Sequence, residues 1–133
     1  MEKSKEKRVR DVMTRGVVTV SFDTPVSEVA RILVEEEISG VAVTAPDGEV
    51  VGVISELDLI RVFRENWNTL TAEDIMSSYV RTVDPETTIK EAADIMRDLD
   101  IHRLLILSLN PAYGVPVGIL SASDILRAIV KSG

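Results

Sequence analysis

Asp74-Ile-Met76 repeats Asp11-Val-Met13 about half a chain further on. The same offset carries Thr19-Val20 onto Thr82-Val83, Thr24-Pro25-Val26 onto Thr87-Thr88-Ile89, and Val41-Ala42-Val43 onto Leu104-Leu105-Ile106. Gly52-Val-Ile-Ser55-Glu-Leu-Asp58 then returns as Gly118-Ile-Leu-Ser121-Ala-Ser-Asp124, now at a slightly longer offset. A duplication of nearly the whole chain constrains the fold more than any other feature. Residues 9–66 and 72–131 read as two copies of one structural repeat, with a polar linker at 67–71 and a frayed basic tail at 1–8. The longer offset places three extra residues in one loop of the second copy, around Asn110-Pro111 and Tyr113-Gly114. Loop insertions cost little chain entropy. A slip inside a strand would turn its core residues outward.

Each copy reads as a helical turn, a strand, a helix, two strands and a last helix. Val9 to Met13 is the first turn, and Gly16 breaks it. Val17 to Val20 is a β-branched strand. Thr24 sits where an N-cap belongs and Pro25 at the first helical position. Val26, Val29, Ala30 and Leu33 follow at helical spacing. The acidic run Glu35-Glu-Glu37 is a solvated face. Ile38–Thr44 and Val50–Ile54 are strands joined at Pro46-Asp47-Gly48. A helix is expected over 56–66, carrying Leu59, Ile60 and Phe63. Trp67, in the polar connection after it, is expected to pack on the domain. In the second copy Ile89, Ala92, Ala93 and Met96 repeat the core face. Val115, Val117, Ile119 and Leu120 form the last strand, and Ile125, Leu126, Ile129 and Val130 the stripe of the last helix.

One such half is too small to bury its own apolar faces comfortably. The expected solution is an α+β (mixed α/β) fold of two β-α-β-β-α repeats, packed sheet to sheet about a pseudo-twofold axis. Equivalent loops would then converge on shared clefts.

Composition excludes several functions. The formal charge of −7 over 133 residues argues against nucleic acid, which needs a basic face. The absence of cysteine removes disulfides, thiol catalysis and zinc–thiolate sites. With one histidine, no metal-ligand cluster, and no P-loop or dinucleotide fingerprint, the chain is not expected to be an enzyme or to hold a metal. No apolar run is long enough to span a membrane, and the start lacks a signal-peptide core, so a cytoplasmic location is expected.

Chemistry concentrates in the two Gly-x-x-Ser-x-x-Asp stretches. Each ends a strand and opens a helix, with Ser55 or Ser121 at the N-cap. Two helix N-termini are thereby offered to an anion, and each Gly permits a close backbone approach. The same spacing is also a capping box, in which the Asp reaches back to the N-cap amide. Both readings stand on these residues alone.

The order and duplication of these motifs resemble a tandem pair of CBS domains, or Bateman module, over about Val9 to Val130. The resemblance rests on Asp11-Val-Met13 with Asp74-Ile-Met76, on Thr24-Pro25-Val26 with Thr87-Thr-Ile89, and on the two Gly-x-x-Ser-x-x-Asp segments. It implies a nucleotide site with Asp58 and Asp124 on ribose hydroxyls and Ser55 and Ser121 near phosphate. Adenine would lie around Met13 and Val18, or Met76 and Val80. His102-Arg103 matches a phosphate-contacting position, and Ser39-Gly40 occupies it in the first copy without charge. A carboxylate can accept from both ribose hydroxyls, and imidazole and guanidinium add charge-assisted donors.

The function so implied is a regulatory module that senses an adenine nucleotide in the cleft between two repeats. AMP is favoured, with ADP or ATP as alternatives, and no cofactor is required. It would signal energy state to an unknown regulated protein. Leu57, Val62, Phe63, Ile129 and Val130 exceed what one core stripe needs, and with the resemblance they imply a homodimer. The alternatives are a dimerisation or scaffolding module with vestigial clefts, or a module that binds S-adenosylmethionine.

Overall fold

The computed structural model describes residues 7–78, 81–108 and 116–132. In chain order the elements are α1 (Val9–Val12), β1 (Thr14–Arg15), β2 (Thr19–Ser21), α2 (Val26–Glu35), β3 (Gly40–Thr44), β4 (Val50–Ser55) and α3 (Glu56–Arg61). They continue as α4 (Ala72–Ile75), β5 (Thr82–Val83), α5 (Ile89–Leu99), β6 (Arg103–Leu107), β7 (Pro116–Ser121) and α6 (Ala122–Ser132). The mixed α+β class and the repeated element order match the sequence reading. The loop around Asn110 and Tyr113, with Val115, lies outside the described residues.

These elements form two compact units, and the division does not follow the sequence repeats. Residues 18–80 make a continuous unit, whereas 1–17 join 81–133 in a composite one. The continuous unit holds a sheet of order β2-β3-β4, with β2 parallel and β4 antiparallel to β3. The composite unit holds a sheet of order β1-β7-β6-β5, in which Thr14 pairs with Ile119. The segment 9–17, read as the start of the first repeat, therefore belongs to the unit built from the second. Residues 67–71, read as a linker, are stitched into the continuous unit. Val26 N–H donates to Leu70 O, Ser27 N–H to Trp67 O, and Pro25 bridges Thr71.

Each unit has its own core. Val26, Val29 and Leu33 of α2 pack with Val41, Val43, Ile54 and Leu59. In the composite unit Ile89, Ala92 and Met96 of α5 pack with Leu104, Ile106, Leu120, Ile125 and Ala128. Each fully buried Val, Leu or Ile contributes roughly 1.5–3 kcal/mol, so these stripes hold the helices on the sheets. Trp67 packs against the first core as expected, and its indole N–H donates to Val62 O at 2.8 Å.

Three local expectations are corrected. Pro25, not Thr24, occupies the N-cap of α2. The helix expected over 56–66 ends at Arg61, because Val62 leaves helical geometry at φ −114°. Of its apolar residues only Leu59 is buried, while Ile60 and Phe63 are exposed. On α6 the core stripe is Ile125 and Ala128, whereas Leu126, Ile129 and Val130 face outward.

Candidate functional site

The composite unit's junction between β7 and α6 is built from the inside out. Buried Leu120 anchors the strand end, and Ser121 follows at the N-cap. Ser121 N–H donates to Asp124 Oδ2 at 2.9 Å, and Asp124 N–H donates to Ser121 Oγ at 3.1 Å. Ala122 N–H donates to His102 O at 2.9 Å. Arg127 Nη1 donates to Asp124 Oδ1 at 3.1 Å. Asp124 is 8% exposed, a buried charge that these donors keep solvated.

The continuous unit repeats the device. Ser55 N–H and Oγ–H donate to Asp58 Oδ2 at 2.8 and 3.1 Å. Glu56 N–H donates to Ser39 O at 3.3 Å, and Arg61 Nη1 lies 3.5 Å from Asp58 Oδ1. Both Ser–Asp pairs are thus helix caps. Capping does not exhaust the carboxylates, since an ionised carboxylate offers about four acceptor positions.

The glycines before these junctions have a different cause from the expected ligand approach. A Cβ on Gly118 would lie 2.6 Å from Met13 Sδ and 2.8 Å from Thr14 O. On Gly52 it would lie 2.5 Å from Met76 Sδ and 2.9 Å from Ser77 O. The close approach is made by the chain itself.

The candidate residues sort by unit. Met13, Arg103, Ser121, Asp124 and exposed His102 fall in the composite unit, and Val18, Ser39, Ser55, Asp58 and Met76 in the continuous one. Met13 and Val18 fall on either side of the unit boundary, and Val80 lies outside the described residues. Arg103 pairs with Ser121 across the β6–β7 ladder, so its side chain leaves the sheet on the face that carries Ser121. It is half-buried, makes no ion pair among the described residues, and its Nε is buried without a hydrogen-bond partner. The corresponding pair in the other unit is Gly40 with Ser55, which has no cation.

Sequence reasoning missed a concavity of about 220 Å³ beside α6, lined by Lys7, Val12, Asp124, Arg127, Ala128 and Lys131. Its legible signal was the Arg three residues after each Asp. No metal-binding cluster occurs among the described residues, and no helix among them is long and apolar enough to cross a membrane.

The CBS domain family model matches residues 9–65 and 72–131. An uncharacterised protein of Methanopyrus kandleri is 35% identical over 90% of the chain, which spans 61% of that protein. An inosine-5'-monophosphate dehydrogenase of Korarchaeum cryptofilum is 34% identical over 90% of the chain, which spans 24% of the enzyme. The CBS domain of a CBS domain containing membrane protein from Sphaerobacter thermophilus superposes with TM-score 0.81 at 29% identity, covering 96% of this chain and 90% of that one. A CBS domain pair solved in complex with 5-methylthioadenosine and S-adenosyl-L-methionine superposes with TM-score 0.80 at 23% identity, covering 96% and 98%. CBSX2, solved in complex with AMP, gives TM-score 0.74 at 24% identity, covering 94% and 97%.

Proposed function

Because the chain belongs to the CBS-domain family and carries two such domains in tandem, we propose that it is a regulatory module that binds an adenine nucleotide. The observation that carries this is Arg103. A half-buried guanidinium with an unsatisfied Nε stands on the strand position opposite Ser121, at the head of a helix whose first turn holds buried Asp124. Leaving a buried polar group unpaired costs about 1–3 kcal/mol, and a phosphate beside Arg103 would supply the missing negative charge. Asp124 would take the ribose hydroxyls, and Asp58 would do the same in the other unit. Ser121, Ser55, His102 and Ser39 flank the phosphate, and Met13, Met76 and Val18 supply apolar surface for adenine. AMP contains everything these groups recognise, and the CBSX2 complex supports it as the first ligand to test. The module acts on its regulated partner without catalysis of its own.

The test is identification by mass of the ligand released on denaturing the purified protein, followed by calorimetry with AMP and adenosine. AMP binding at least about tenfold tighter than adenosine is expected from one charge-assisted contact. Equal affinity would remove the phosphate pocket. It would favour S-adenosylmethionine, the ligand named for one structural neighbour.

Assembly belongs to the same reading. Leu57, Ile60 and Phe63 stand exposed in and just beyond α3, and Leu126, Ile129 and Val130 on α6. A twofold homodimer would bury such faces. Light scattering at micromolar concentration should find a dimer, and a monomer would refute the assignment.

A further inference from the structure

The concavity beside α6 gathers three cations, Lys7, Arg127 and Lys131, around Asp124 in a chain of net charge −7. Arg127 already pairs with Asp124, so the two lysines are left to set the local field. The duplication supplies an internal control. Lys7 O accepts from Ile89 N–H at 2.9 Å, and Leu70 O accepts from Val26 N–H at 2.9 Å. Lys7 and Leu70 thus hold the same place in the two units. Arg127 corresponds to Arg61, and by the offset that relates Asp124 to Asp58, Lys131 corresponds to Glu65. Three cations therefore stand where the other copy has a leucine, an arginine and a glutamate. The cap geometry is common to both copies, so the added cations are not needed to form it. Like charges in one concavity repel, and a multivalent anion removes that repulsion.

We propose that this concavity is an oligophosphate site. It takes a di- or triphosphate, either free or as the tail of a nucleotide held on Asp124. The nucleotide source rests on the proposed function; the free source does not. On helix geometry residues 127 and 131 lie about 4.5 and 10 Å along the axis from Asp124, a span that a triphosphate matches and a single phosphate does not. Where a nucleotide is the source, the composite unit discriminates nucleoside triphosphate from monophosphate, and the continuous unit does not.

The experiment titrates tripolyphosphate, AMP and ATP against the full chain at low and high salt. It is repeated on the triple variant Lys7→Gln, Arg127→Gln, Lys131→Gln and on a charge-matched control, Arg64→Gln, Lys90→Gln, Arg97→Gln. Tripolyphosphate binding that weakens with salt and falls roughly tenfold or more in the triple variant but not in the control is expected. If the tail is the source, ATP also binds tighter than AMP, and the triple variant erases that preference. If the anion is free, ATP and AMP bind alike. Equal losses in both variants, or no tripolyphosphate binding and no ATP preference, overturn the proposal. AMP binding that persists without any oligophosphate effect overturns this site alone. Tripolyphosphate binding without nucleotide binding keeps this site and removes the nucleotide reading.

Discussion

The continuous and composite units solve the same packing problem with the same backbone device. Each crosses a short segment over a glycine, ends a buried strand at a serine, and closes the next helix with an aspartate three residues on. Their side-chain charge has diverged. Where the composite unit has His102, Arg103, Lys7 and Lys131, the continuous unit has Ser39, Gly40, Leu70 and Glu65. A fold needs the shared device; a ligand responds to the charges. The comparison separates what holds each unit together from what each can bind.

Breaking the comparison at its shared element has the largest expected effect. Asp124→Ala combined with Asp58→Ala removes the proposed ribose acceptor from both units. With each hydrogen bond to a charged group contributing roughly 1.5–3 kcal/mol, calorimetry should find AMP binding reduced a hundredfold or more. Loss of the capping contacts costs about 0.5–2 kcal/mol apiece. Unchanged affinity would return both residues to a capping role alone.

Arg103→Ala tests the divergence. It should weaken AMP by roughly 1.5–3 kcal/mol and leave adenosine unaffected, while Ser39→Ala, which removes no charge, should weaken AMP by only about 0.5–1.5 kcal/mol. Gly118→Ala and Gly52→Ala test the shared crossing. Each new Cβ meets a backbone oxygen that cannot rotate away, so thermal or urea unfolding should show a loss of about 1–3 kcal/mol in both. A neutral outcome in one unit alone would show that its crossing segment yields.

A smaller effect concerns the helix ends. Glu37 and Asp100, equivalent positions in the duplication, follow α2 and α5 with φ of 54° and 53°. Left-handed geometry costs a side-chain-bearing residue roughly 1–2 kcal/mol, part of which glycine returns as chain entropy. Glu37→Gly and Asp100→Gly should each stabilise by up to about 1 kcal/mol in denaturant titrations.

The smallest sharpens the comparison by pH. Glu28 and Glu91 are equivalent, and both carboxyls lie below their ordinary range for different reasons. Arg31 donates to Glu28, whereas the backbone N–H and hydroxyl of Thr88 donate to Glu91. Pro25, the counterpart of Thr88, offers neither group. A depressed folded pKa gives stability that is present above the unfolded carboxylate value and lost as pH falls through the folded one. Glu28→Gln and Glu91→Gln should therefore each flatten the acid limb of the stability curve. Added salt should weaken the Glu28 contribution more than the Glu91 one.

The two offsets of the duplication made the element order and the equivalent Ser–Asp caps legible, and the charge run Glu35-Glu-Glu37 made its solvated face legible. Periodicity also identified Val26, Val29 and Leu33, whose helix face is one-sided. It failed on α6, where Leu126 and Val130 fit a helical stripe as well as Ile125 and Ala128 do; only the position of the sheet decides which stripe turns inward. The two-residue strand β1 has no period to detect, so its pairing with β7 was invisible. The glycines looked like room for a ligand because sequence does not show that a methionine from far along the chain fills the space. Lys7 looked like tail because its place is fixed by a backbone bond to Ile89, a partner distant in sequence.

That distant pairing has a consequence for how the molecule is made. The continuous unit draws on one uninterrupted stretch, so all of its residues are present once that stretch has left the ribosome. The composite unit does not. Thr14 must wait for Ile119, and until then α1 and β1 have no sheet to join. Contacts between such remote positions form slowly. During that interval Thr14 and Arg15 are an open strand edge, and the pairing closes it once the chain's own tethered β7 is made.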